Sequence, residues 1–203
     1  MPRAAGALVT GPVAQALAPR SATAWLGLFG AYFMFGVGYI AYSTFMGGRL
    51  AAAQADTATI VWSWVSLGLG SVAGSVAGAA IVSTPRLKPW ALVLASFAGA
   101  AGSAAAIQAG PIGPMLGAVL VGLGLASTPA IVTAFVRERT TDADYARLFS
   151  FGTAALGVGQ LLGPLAAGAL ADRIGPDAVM LFAAAAYGAG AALAGYDLLR
   201  RGR

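Results

Sequence analysis

The sequence contains no cysteine, no histidine and no asparagine. Without cysteine the chain can form no disulfide bond and offers no thiol nucleophile. Without histidine it lacks the imidazole that most catalytic triads, proton relays and transition-metal sites require. We therefore predict no catalytic residues, no metal site and no cofactor, and we do not expect an enzyme.

Charge is also scarce, because only 12 basic and 7 acidic residues occur among 203. Charged residues make up 9% of the chain, whereas an ordinary soluble domain carries about 25%. A soluble helical protein spreads charge along its helices to keep one face hydrated, and that pattern is missing. Basic residues do not interleave with aromatic ones in a patch, so nucleic acid is not an expected partner.

Long uncharged segments lie between the few charged residues, and 59% of the residues are hydrophobic. A helix of about 20 apolar residues matches the ~30 Å hydrocarbon core of a bilayer. Lipid offers the backbone no hydrogen bonds, and the period-two alternation of a membrane barrel is absent, so the runs are predicted to be helices. The Pro- and Gly-rich turn at 109–114 divides the longest run in two. Six spans result, at about Ala24–Phe45, Thr59–Val82, Trp90–Gln108, Met115–Phe135, Leu148–Leu170 and Ala178–Tyr196.

The predicted fold is thus an all-α polytopic membrane protein whose six-helix domain covers residues 24–198. A flexible or interfacial cytoplasmic tail (1–23) precedes the domain, and a short basic tail (199–203) follows it. Ala16-Leu17-Ala18 is similar to a signal-peptidase site, which leaves a cleaved signal peptide as the alternative for the first tail.

Lysine and arginine are distributed unequally between the two sides that six spans create. Ten fall on the side of the two termini, and only Arg49 and Arg173 fall on the other. Because basic residues accumulate on the cytoplasmic side, both termini are predicted to lie in the cytoplasm. The four tryptophans begin predicted spans and suit anchoring at the two interfaces.

Three segments resemble the major facilitator superfamily (MFS), specifically the C-terminal half of its YbfB/YjiJ-like branch. Phe35–Ile40 resembles the F-G-x-G-Y-I signature of the seventh helix, Gly159–Gly168 resembles the eleventh helix, and Ala171–Gly175 is similar to the D-R-x-G loop. The resemblance to this bacterial branch implies a transporter of a small molecule in the inner membrane of a bacterial cell. Since a complete transporter of this superfamily has twelve helices, it also implies a six-helix half that works as a homodimer or with a separate half. The alternative is a non-transporting membrane scaffold or a transporter fragment.

The two halves of the chain echo each other, as a 3+3 inverted repeat requires. Val76-Ala77-Gly78-Ala79 ends the second span, and Ala166-Ala167-Gly168-Ala169 lies near the end of the fifth. Glycines also recur at helical spacing in both spans, which favours close helix packing. Sequence rich in alanine and glycine produces such matches by chance, so the repeat is a hypothesis here.

An aromatic stripe on the first span supplies the first candidate site residues. Tyr32, Phe35, Tyr39 and Tyr42 fall on one helical face. The resemblance implies that this span is the seventh helix, which lines the central cavity of the superfamily, so the stripe is a candidate substrate-facing wall. The alternative is ordinary helix packing, with the hydroxyls bonded to neighbouring backbone.

Two proline-containing spans supply the other candidates. Gln160 is the most polar side chain deep in any span, and Pro164 removes the helical donor to its carbonyl. Pro129 repeats this pattern beside Thr128. Kinked helices at mid-depth are where transporters bind substrate, although Gln160 could equally make a structural bond between helices. No carboxylate lies within a span, so no proton relay is expected in this half.

A charged cluster separates the fourth span from the fifth. It comprises Arg137, Glu138, Arg139, Asp142, Asp144 and Arg147. The simplest interpretation is a solvated cytoplasmic connector, and the alternative is a set of salt bridges that gates the transporter.

Overall fold

The computed structural model describes residues 25–201, which are almost entirely helical. Their helices are α1 (Leu26–Ala52), α2 (Thr57–Ser83), α3 (Ala91–Ala105), α4 (Ile112–Arg139), α5 (Asp142–Ile174) and α6 (Pro176–Arg201). This confirms the prediction of an all-α fold for the part of the chain that the structure describes. The predicted first tail lies outside the described residues.

Five of these helices are long and apolar enough to cross a membrane. The exception is α3, which has 15 residues where the sequence predicts a span at Trp90–Gln108. At 1.5 Å per residue an α-helix of that length covers about 22 Å. A 3₁₀ turn containing Pro89 precedes α3, and beyond its end Arg49 donates from Nη2 to the carbonyl of Ile107 at 2.9 Å.

The helices pack in the spatial order α2, α4, α3, α6, α1, α5. Helix α1 packs against α5 and α6, whereas α4 packs against α2 and α3. Extensive contact between α3 and α6 joins the two groups, while α1 and α4 touch only lightly. Helices α2 and α5 therefore lie at the two margins of the bundle.

The α1–α5 and α2–α4 crossings are built alike, with glycine against backbone. A Cβ placed on Gly159 would lie 2.3 Å from the carbonyl oxygen of Phe33, and one on Gly70 would lie 2.4 Å from that of Val119. Side chains larger than hydrogen cannot fit at such distances, so the glycines allow the backbones to touch.

The correspondence between the two crossings extends over a second helical turn. Gly163 faces the carbonyl of Val37 as Gly74 faces that of Leu123. An offset of 86 residues relates the α1 contacts to those of α4, and an offset of 89 relates the α2 glycines to those of α5. Two different parts of the sequence therefore form the same helix crossing.

The bundle has two ends, each marked by an ion pair with a buried arginine. At the end that we call the Arg49 end, Arg49 bonds Asp177 from Nε at 2.8 Å. At the opposite Arg139 end, Arg139 of α4 makes two hydrogen bonds to Asp197 of α6, at 3.1 and 2.8 Å. The ends of α1, α3 and α5 and the starts of α2, α4 and α6 share the Arg49 end.

The prediction of a solvated charged connector between the fourth and fifth spans is wrong in part. Helix α4 continues to Arg139 and α5 begins at Asp142, so only two residues lie between them. The Arg139 side chain is 6% exposed because Asp197 binds it within the bundle. Arg137 and Asp142 do form an exposed pair, and Lys88 bridges to Glu138.

Two of the helices start with a side chain that accepts a hydrogen bond from the backbone of the first turn. Asp56 is the N-cap of α2 and accepts from the backbone N–H of Thr59 at 2.7 Å. Hydrogen bonds from the side chain and the backbone of Thr59 hold the pKa of Asp56 below its usual range. Thr141 caps α5 in the same way, through the N–H of Asp144. Both caps satisfy backbone donors that a helix start leaves without a partner.

Candidate functional site

Two of the predicted site residues meet directly, although 121 residues separate them. Gln160 of α5 donates from Nε2 to the hydroxyl of Tyr39 of α1 at 2.6 Å. Both side chains are half-buried. The structure thus joins the polar side chain that Pro164 singles out with one member of the aromatic stripe.

The glycine crossing of α1 and α5 positions this pair. A Cβ on Gly36 would lie 2.6 Å from the carbonyl of Leu156 and 3.3 Å from the backbone nitrogen of Gln160. The backbone nitrogen of Gln160 therefore lies close to α1 at Gly36, one turn from Tyr39. Pro164 lies inside the unbroken α5 and leaves the Gln160 carbonyl without a helical N–H donor.

The aromatic stripe divides between two environments. Phe35 stacks on Tyr39 with ring centroids 5.0 Å apart, and Tyr32 stacks on Phe35 at 6.2 Å. Tyr32, Phe35 and Tyr42 are buried inside the six-helix bundle, whereas Tyr39 is only half-buried. Of the four, Tyr39 is therefore the residue most accessible from outside the bundle.

Thr128 of α4 lies on the inner side of the same stripe. Its hydroxyl and the Phe35 ring both approach Gly124, at 3.8 and 3.9 Å from the position of a Cβ there. Thr128 is 1% exposed, and Pro129 follows it inside the continuous α4. The structure consequently groups Thr128 with Phe35 in the bundle interior, at the light contact between α1 and α4.

Sequence reasoning missed Tyr187 of α6, whose ring lies between α1 and α3. A Cβ on Gly38 would lie 2.9 Å from the ring, and one on Gly99 would lie 2.5 Å from it. Tyr187 also packs edge-on against Phe35 at 6.2 Å. Its signal in the sequence is a single tyrosine within a long alanine- and glycine-rich run.

The site is uncharged. All charged side chains among the described residues lie near the two ends of the bundle. Tyr39 offers a hydroxyl that already accepts from Gln160, and Gln160 offers its amide oxygen and its backbone carbonyl. Such groups can exchange hydrogen bonds with a polar, uncharged part of a ligand, beside the stacked rings of Phe35 and Tyr39.

A comparison with protein families identifies the kind of molecule. The family described as uncharacterised MFS-type transporter YbfB matches residues 1–196. The chain belongs to this family. The match confirms the resemblance to the YbfB-like branch, and together with the apolar helices it makes the chain a multi-pass membrane protein of a transporter family. No curated protein and no solved structure matches the chain.

Proposed function

We propose that this chain is one six-helix half of an MFS-type secondary transporter that moves a small molecule across the bacterial inner membrane. The second half is another copy of the chain or a separate six-helix partner. The observation that carries the proposal is the exposure of the two marginal helices. Only 22% of the apolar stretch of α2 and 17% of that of α5 is buried, against 61% for α1.

Polar side chains on these margins favour a protein or aqueous neighbour over lipid alone. Gln160 and Thr153 of α5 and Ser75 of α2 are exposed or half-buried. A polar side chain within a membrane span usually faces the interior of a bundle or a water-filled cavity. A second half across α2 and α5 would enclose these residues and the Tyr39–Gln160 pair.

The matched crossings support a 3+3 inverted repeat, in which α1–α3 correspond to α4–α6. Nearly the same offsets pair α3 with α6, since Gly102 approaches the carbonyl of Gly117 as Gly190 approaches that of Ala31, with 88 residues between the two glycines and 86 between the two carbonyls. An odd number of spans in each repeat inverts its orientation. The repeat therefore requires α3 to cross the bilayer, with its flanking turns completing the sixth span.

The ends of the bundle support the proposed orientation. Most of the lysines and arginines among the described residues lie at the Arg139 end, which we assign to the cytoplasm together with both termini. The Arg49 end, with few basic residues, would face outward. The D-R-x-G segment at Asp172–Gly175 ends α5 there.

Within this transporter Tyr39 and Gln160 are the proposed substrate contacts. Tyr32, Phe35, Tyr42 and Thr128 support them from the bundle interior, and Pro129 and Pro164 mark the points where α4 and α5 can bend. Because the pair is half-buried on an exposed margin, a ligand could reach it without unfolding the bundle.

Two measurements test this function. Light scattering of the purified chain in detergent should give the mass of a dimer, or of a complex with a second six-helix chain. A strict monomer without such a partner would favour the scaffold interpretation and contradict the proposal.

Compounds that bind the carrier should be found by their stabilising effect in a thermal-shift screen, and then tested for uptake into vesicles. Tyr39→Ala should lower both the shift and the uptake about tenfold or more while expression is retained. Tyr196→Ala, at an exposed position of α6, is the matched control. Equal loss in both variants, or loss of expression in Tyr39→Ala, would contradict the role of Tyr39 in binding.

A further inference from the structure

Three hydroxyl groups inside the bundle have no hydrogen-bond partner among the described residues. They belong to Tyr42 of α1, Ser103 of α3 and Tyr187 of α6. Each of these residues is 0% exposed. Buried polar groups in proteins are almost always paired with protein or ordered water, so three orphans in one bundle require an explanation.

The helix register places the three residues in one layer. Tyr187 lies between Gly38 and Gly99, and its Cζ, which carries the hydroxyl, is 2.7 Å from the Cβ position of Gly99. Tyr42 follows Gly38 by one helical turn and Ser103 follows Gly99 by one turn, towards the same end of the bundle. Side chains in a helix lean towards its N-terminus, so those of Tyr42 and Ser103 lean back towards the Tyr187 ring.

Ring packing links this layer to the candidate site. The Tyr187 ring packs edge-on against Phe35 at 6.2 Å, and Phe35 stacks on Tyr39 at 5.0 Å. The layer therefore lies directly behind the Tyr39–Gln160 pair, on the opposite side of α1 from the exposed margin.

We propose that Tyr42, Ser103 and Tyr187 together bind internal water between α1, α3 and α6. Each hydroxyl can both donate and accept, and a buried water typically makes about three hydrogen bonds. One water shared by the three hydroxyls would give each hydroxyl a hydrogen-bond partner and would itself make three hydrogen bonds. No other hydrogen-bond partner for these hydroxyls lies among the residues that the structure describes.

The bound water also has a consequence for α1. Hydrogen bonds through water can be exchanged at small displacements, whereas close-packed apolar contacts resist them. A hydrated layer behind Phe35 and Tyr39 would let α1 shift against α3 and α6 while its hydroxyls stay satisfied.

Radiolytic labelling in H₂¹⁸O tests this directly, because hydroxyl radicals formed from bound water oxidise the side chains beside it. In the full chain in detergent, Tyr42 and Tyr187 should be oxidised several-fold faster than Phe29, which is buried between Trp25 and Phe151. Oxidation at the rate of Phe29 would overturn the proposal, because it would mean that no water lies beside the two tyrosines. That conclusion would also hold if their hydroxyls bonded each other directly.

A double-mutant cycle assigns the water to these hydroxyls. Tyr42→Phe and Tyr187→Phe should each lower the melting temperature by about 2–4 °C, and the double variant should lose less than the sum. Tyr196→Phe, at the exposed surface, is the control and should change little. A rise in melting temperature would show that the hydroxyls are unsatisfied, and strictly additive or negligible effects would show that any water is held elsewhere. Either result overturns the proposal.

Discussion

At the scale of single residues, the Arg139–Asp197 pair shows that burial determines how much an ion pair contributes to stability. Its two side chains are 6% and 8% exposed, and the guanidinium also lies over the rings of Trp25 and Phe135 at 5.8 and 5.4 Å. In contrast, the pair that Arg137, two residues before Arg139, forms with Asp142 is 57% and 89% exposed. The first pair therefore contributes to the fold, and the second is largely screened by water.

We predict that Arg139→Ala destabilises the bundle by about 3–5 kcal/mol, because it removes the arginine that makes two hydrogen bonds to the buried Asp197 carboxylate. Arg137→Ala, the matched control, should cost about 0–1 kcal/mol. Unfolding in detergent monitored by circular dichroism measures both. The double change Arg139→Met with Asp197→Leu should recover much of the loss, and equal effects of the two single variants would contradict the distinction.

The candidate site was predictable from single residues only in part. The sequence singles out Gln160 and Tyr39 for separate reasons, one by its depth and the following proline, the other by its place in an aromatic stripe. Their hydrogen bond joins residues 121 apart, which no local spacing rule can specify. Helical periodicity likewise puts Tyr32 and Tyr42 on one face without indicating that this face is the bundle interior.

At the scale of elements, hydropathy predicts where helices lie better than where they end. The fifth span is predicted at Leu148–Leu170, but α5 runs from Asp142 to Ile174. Charged residues end a membrane-embedded run without ending a helix, because a helix can continue into water or headgroups. The capping hydrogen bond of Thr141, not the loss of hydrophobicity, sets the start of α5.

Alanine substitutions at two glycines of α5 distinguish the effect of helix packing from that of helix propensity. A Cβ on Gly159 would lie 2.3 Å from the carbonyl of Phe33, whereas one on Gly157 would meet nothing within 4 Å. We predict that Gly159→Ala costs about 1–3 kcal/mol by forcing α1 and α5 apart. Gly157→Ala should be neutral or stabilise by up to about 1 kcal/mol, since alanine favours a helix.

Thermal unfolding of the two variants in the same detergent checks this prediction. Binding of a ligand at Tyr39 and Gln160 should weaken in Gly159→Ala as well, because the same crossing positions that pair. If both alanine variants proved neutral, the result would contradict the close backbone contact of α1 and α5 at Gly159.

At the scale of the whole molecule, the bundle consists of two similarly packed three-helix groups. Sequence indicated this only through the short echo between Val76–Ala79 and Ala166–Ala169, whereas the repeated glycine contacts extend it to two complete crossings and to α3 and α6. The sequence could not reveal this similar packing, because the packing depends on which backbones touch. Alanine and glycine at many positions satisfy that requirement equally.

The proposed inverted repeat requires that the short α3 cross the bilayer. If α3 crosses the bilayer, the connections on its two sides lie on opposite faces of the membrane. The absence of native cysteine allows single cysteines to be introduced without a background. Leu87, Ala109 and Thr141 suit this purpose, because they lie in successive connections and are exposed or partly exposed.

The deciding measurement is labelling of these three single-cysteine variants with a membrane-impermeant maleimide in intact cells. We predict that Ala109→Cys reacts in intact cells, and that Leu87→Cys and Thr141→Cys react only after the membrane is permeabilised. Reaction of Leu87→Cys and Ala109→Cys from the same side would mean that α3 does not span the bilayer, and it would contradict both the six-span half and the inverted repeat.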